Sequence, residues 1–71
     1  MRLVLLEALE KKYEADMAEA EATIKIYLEQ PVGIGEHPQH IEEVNKQIDK
    51  IAQAKEKLAV LEEFEPERSV L

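Results

Sequence analysis

Residues 29–40 read EQPVGIGEHPQH, and this stretch decides the fold because the sequence on both sides of it has helical character and it does not. It holds both glycines, both histidines and two of the three prolines of the 71-residue chain. Pro31 crowds the residue before it, Gln30, out of helical geometry, so a helix arriving from the N-terminal side ends near Glu29. Pro38 suits the first turn of a new helix, where no donor is missed, and His37 then falls at the cap position. One reversal of direction is therefore expected, through a loop over residues 30–37.

Upstream of that loop, residues 2–29 can be placed around a helix at about 100° per residue. Leu6, Leu9, Tyr13, Met17, Ala20, Ile24, Tyr27 and Leu28 then share one stripe, stepping mostly by threes and fours as helix-on-helix packing requires. Glu7, Glu10, Glu14, Glu21 and Lys25 lie on a polar flank, where Glu7–Lys11 and Glu21–Lys25 have the spacing of supporting ion pairs. Ala8, Ala15, Ala18 and Ala22, with Ile26, make a second stripe nearly opposite the first. It reads either as good helix formers on a solvated face or as a surface that a further helix approaches closely. Downstream, Ile41, Val44, Ile48, Ile51, Ala54, Leu58 and Leu61 repeat the threes and fours, with Phe64 following and Glu42–Lys46 as a supporting pair. Glu65-Pro66-Glu67 breaks the pattern.

The expected architecture is all-α: an antiparallel helical hairpin as a single domain over residues 1–64. Its helices are expected over about 2–29 and 38–64, with a flexible tail at 65–71. Ala, Glu, Lys, Leu and Ile dominate, with one Phe, two Tyr and no Trp. The absence of Cys excludes disulfides and thiolate metal sites. A net charge of -7 with no basic segment argues against binding to a nucleic-acid polymer. Leu3 to Leu6 is too short for a signal-peptide core, and nothing approaches the roughly 20 apolar residues of a membrane span, so a cytoplasmic protein is expected. Chains below about 70–80 residues generally need a staple or a partner. With no cysteine, the expected remedy is homo-oligomerisation, most simply two hairpins in a four-helix bundle.

The loop is the place where chemistry is expected. Gly33 and Gly35 permit close approach of another group to the backbone, and the amides of Gln39 and His40 open a helix at its positive end. Gly33, Gly35, Glu36, His37 and His40 thus form a candidate site for an anionic small molecule such as a nucleotide. GIG is neither a dinucleotide fingerprint nor a P-loop, because no preceding strand, third glycine or GK[ST] is present. Glu36, His37 and His40 also compose a two-histidine, one-carboxylate set, but His37 at the helix edge need not converge with His40, and neither a metal nor another cofactor is expected. The alternative is a purely structural turn, with Val32 and Ile34 covering the bundle end and the helix faces engaging a protein partner. Catalysis is not expected, since the only serine, Ser69, lies in the tail.

The stretch YLEQPVGIGEHPQHIEEVNKQIDKIAQA, residues 27–54, resembles small uncharacterised proteins of tailed bacteriophages. These carry a tyrosine-leucine pair, a proline-valine-glycine-isoleucine-glycine-glutamate-histidine-proline loop and an acidic amphipathic helix. The similarity extends over roughly residues 3–62, and the loop is its most specific part. An acidic residue commonly follows the second proline in that group, where this chain has Gln39. The resemblance implies an infected bacterial cell as the setting, where small helical phage proteins include inhibitors that bind host proteins, sponges for signalling nucleotides and virion assembly factors. It implies no activity.

Overall fold

A computed structural model describes residues 2–29 and 39–64. Within them lie two α-helices, α1 over Arg2–Glu29 and α2 over Gln39–Glu63, of 28 and 25 residues. Every described residue except Phe64 is helical, and no strand occurs among them. The expected loop at 30–37, Pro38 and the expected tail at 65–71 lie outside the described residues. Overall extents of 51 × 19 × 14 Å are those of two rods lying side by side, one helix thick.

The helices run antiparallel, and three contacts set their register. At one end the Arg2 guanidinium donates a hydrogen bond to the carbonyl of Phe64. Midway, Lys57 Nζ lies 5.4 Å from the centre of the Tyr13 ring. At the other end, where α1 finishes and α2 begins, the rings of Tyr27 and His40 meet edge-on at 5.7 Å and 61°. This last end is called the junction end below.

The seam between the helices follows a strict alternation. On α1 the half-buried or buried positions include Leu6, Glu10, Tyr13, Met17, Ala20, Ile24 and Tyr27; on α2 they include His40, Val44, Gln47, Ile51, Ala54, Leu58 and Leu61. Both sets step four, three, four, three without a break, the spacing that keeps one line of each helix against its neighbour. This corrects the expected stripes at several positions. Leu9, Leu28, Ile41 and Ile48 belong to those stripes, yet they are exposed on the single hairpin, while Glu10, His40 and Gln47 take seam positions. The reason is geometric. Runs such as 6-9-13-17 or 41-44-48-51-54 contain two equal steps in succession and would swing the contact line off the neighbouring helix. The four-three alternation does not, even though it admits polar residues.

The ion pairs also differ from the expected ones. Lys12 pairs with Asp16 at 3.2 Å, and Lys46 pairs with Glu43 at 3.4 Å in place of Glu42. Glu7–Lys11 and Glu21–Lys25 are not formed among the described residues. Exposed pairs of this kind contribute only about 0.2–1 kcal/mol each, so none of them decides the fold. Thr23 Oγ1 donates to the carbonyl of Glu19 at 2.9 Å, which satisfies its hydroxyl on its own helix.

The buried hydrophobic core is small: Ala20 at 1%, Ala54 at 3% and Leu61 at 7% exposure, with no large side chain fully buried among the described residues. The two alanines mark places on the seam where a larger side chain has no room. Ala54→Leu is therefore expected to lower stability by about 1–3 kcal/mol through overpacking, read as a reduced urea midpoint at fixed protein concentration. Ala15→Leu, on the exposed alanine stripe, is expected to stay within about 0.5 kcal/mol of the parent. Equal losses at both positions would show that Ala54 does not sit in a tight part of the seam.

Candidate functional site

The exchange of residues at the seam has a consequence on the surface. Because His40 and Gln47 occupy seam positions, their apolar neighbours Ile41 and Ile48 are carried round to one flank of the hairpin, where they are 77% and 52% exposed. Leu28, one position past the seam residue Tyr27, reaches the same flank from α1 and is 75% exposed. Together with Tyr27, His40, Val44 and Asn45 they line an open groove of about 410 Å³ at the junction end. Its lining is predominantly aliphatic and aromatic, with Asn45 and His40 as its polar members.

The Tyr27–His40 contact forms part of the groove's wall. An edge-on aromatic pair is worth about 0.5–1.5 kcal/mol beyond its burial and holds both rings in one orientation. It ties the last turn of α1 to the first turn of α2. Glu42, in that first turn, places negative charge near the positive end of α2.

Charge is ordered along the same flank. Stepping back from Leu28 by sevens gives Glu21, Glu14 and Glu7; stepping forward from Ile41 by sevens gives Ile48, Lys55 and Glu62. A seven-residue step is nearly two full turns, so these eight residues stay on one side, and all of them are exposed. The flank thus grades from apolar at the junction end to charged toward Arg2 and Phe64. The opposite flank differs in character. There a cleft of about 210 Å³ is lined by Tyr13, Asp16, Glu19, Lys50, Gln53, Ala54 and Lys57, with both signs of charge around the Tyr13 ring.

Of the candidate ligand residues, only His40 is described, half-buried and engaged with Tyr27. Gly33, Gly35, Glu36 and His37 lie outside the described residues. Among the described residues no group of three or more His, Cys, Asp or Glu side chains is placed to hold a metal ion. The candidate packing residues divide into two sets. Leu6, Tyr13, Met17, Ile24, Tyr27, Val44, Ile51, Leu58 and Leu61 join the seam, whereas Leu9, Ile41 and Ile48 face outward. The alanine stripe, Ala8, Ala15, Ala18 and Ala22 with Ile26, is exposed throughout. No helix among the described residues is long and apolar enough to cross a membrane.

The groove went unread in the sequence because hydrophobicity assigned Ile41 and Ile48 to the seam. The four-three alternation was the available signal, since it selects His40 and Gln47 instead. Gln47→Leu is expected to stabilise the hairpin by about 1 kcal/mol, because a half-buried polar side chain gives way to an apolar one. Asp49→Leu, exposed on α2, is expected to add nothing. Thermal melts of the two variants at one concentration check this, and a destabilised Gln47→Leu would place residue 47 off the seam. Compared with protein-family models, curated proteins and solved structures, the chain matches none of them.

Proposed function

We propose that this chain is a non-enzymatic interaction protein whose working surface is the apolar groove at the junction end. The observation that carries the reading is the exposure of Leu28, Ile41 and Ile48 around a single concave site. Scattered exposed aliphatic residues are ordinary on a small protein; a contiguous apolar concavity rimmed by polar residues is the signature of a surface made to be covered. The resemblance of residues 27–54 to small tailed-phage proteins supplies the setting, an infected bacterial cytoplasm, and suits a small acidic binding module.

A non-enzymatic role is supported by the inventory of reactive groups. The chain has no cysteine, its only serine is Ser69, and its only threonine, Thr23, bonds its own helix. Capture of an anionic small molecule draws on Gly33, Gly35, Glu36 and His37, which lie outside the described residues, and on His40, whose ring packs against Tyr27. The groove is the stronger basis.

Site-specific photocrosslinking in bacterial cells tests the proposal. A benzophenone amino acid at Ile41 or Ile48 is expected to give discrete protein adducts, and the same probe at Ala15 or Ala22, on the exposed opposite stripe, is expected to give none. Uniform labelling at all four positions, or labelling only at the alanines, would remove the groove as the working surface.

A further inference from the structure

We infer that the occupant of this groove is a second copy of the chain, docked flank to flank with the junction ends together, so that two hairpins make one four-helix bundle. The inference rests on the groove being the working surface and adds which partner covers it and in which direction.

The first argument is the size of the core. Two alanines and one leucine are the only buried hydrophobic residues among those described, and no large side chain is fully buried. The described hairpin thus buries little apolar surface by itself, and of its exposed large hydrophobic residues Leu28, Ile41 and Ile48 gather around one groove. A copy of itself offers the same apolar patch in equal amount, which a closed two-fold interface requires.

The second argument is charge, and it selects the direction. With the junction ends together, a two-fold axis along the helices sets α1 of one copy against α2 of the other. Leu28 then meets Ile41 of the second copy, Glu21 meets its Ile48 and Glu14 meets its Lys55, since these pairs lie at matching heights in the antiparallel register. Both Glu14 and Lys55 are exposed, and neither makes an ion pair among the described residues. Glu7 faces Glu62 at the far end, a like-charge pair in full solvent. The reversed docking sets α1 against α1 and α2 against α2, so Glu14 meets Glu21, Leu28 meets Glu7 and Ile41 lies against Glu62. Apolar contact and charge both favour the first arrangement.

Three measurements test this. Light scattering coupled to gel filtration at about 100 µM chain, where mass action favours assembly, is expected to give twice the 8.1 kDa monomer mass. The double substitution Ile41→Glu, Ile48→Glu is expected to weaken the dimer at least about tenfold, because it places charge in the apolar contact. Glu14→Lys and Lys55→Glu are each expected to dimerise several-fold less well than the parent, and an equimolar mixture of the two is expected to restore the affinity, since every pairing between the two variants is then opposite in sign. For direction, a nitroxide at Glu62→Cys is expected to lie within about 25 Å of its copy, whereas reversed docking separates the labels by more than about 30 Å at 1.5 Å rise per residue. This spin-label arm leaves the groove untouched, so it decides the arrangement even if the double glutamate variant unfolds. A parent that stays monomeric at this concentration overturns the second copy, as when residues 30–38 of the same chain cover the groove; the crosslinking pattern then judges the interaction reading separately. A dimer indifferent to glutamate at both 41 and 48 overturns both. Labels farther apart than about 30 Å, or a mixture that fails to restore affinity, overturn the junction-end arrangement.

Discussion

The seam between α1 and α2 is the constraint on which the rest of the molecule depends. Two long helices stay in contact along their whole length only if each presents a line of side chains that does not drift, and a four-three alternation supplies that line. In this chain the alternation runs unbroken from Leu6 to Tyr27 and from His40 to Leu61. It holds even where it brings Glu10, His40 and Gln47 to half-buried positions and leaves better apolar candidates outside. Continuity of contact along the seam outweighs the gain at any single residue. One isoleucine moved from the surface into the seam gains at most about 1.5–3 kcal/mol, whereas a seam that wanders off its neighbour loses the packing of every turn beyond that point.

From this follows the unequal character of the two flanks. Turning Ile41 and Ile48 out of the seam gathers them with Leu28 on one side at the junction end. The other side collects Asp16, Glu19, Lys50 and Lys57 around Tyr13. A flank that is apolar at the junction end and charged beyond it has a direction in which to be covered, and the acidic row Glu7, Glu14, Glu21 restricts what can cover it. The proposed second copy covers Leu28 with Ile41 and pairs Glu14 with Lys55.

The two alanines in the core and the exposed alanine stripe show how little residue type says without position. Ala20 and Ala54 are almost fully buried, at 1% and 3% exposure, while Ala8, Ala15, Ala18 and Ala22 are exposed. All are good helix formers. Only the first two allow the helices to approach, and they do so because they fall on the alternating line.

The sequence by itself determined that this chain is a helical hairpin. Composition, apolar periodicity and Pro31 after Gln30 are local signals, and helix formation and termination answer to local chemistry. It also supplied most of the seam, from Leu6, Tyr13 and Met17 to Ile51, Leu58 and Leu61, because those residues satisfy hydrophobicity and four-three spacing at once. Where the two criteria part, at Leu9 against Glu10, Ile41 against His40 and Ile48 against Gln47, the sequence read one residue at a time favours the apolar choice. Only the tertiary structure decided for the polar one. Which of two adjacent positions enters a seam differs by a rotation of about 100° around the helix, and that rotation is set jointly by all turns of both helices packing together, so no single residue announces it. The groove lined by Leu28, Ile41 and Ile48 is the product of that joint choice.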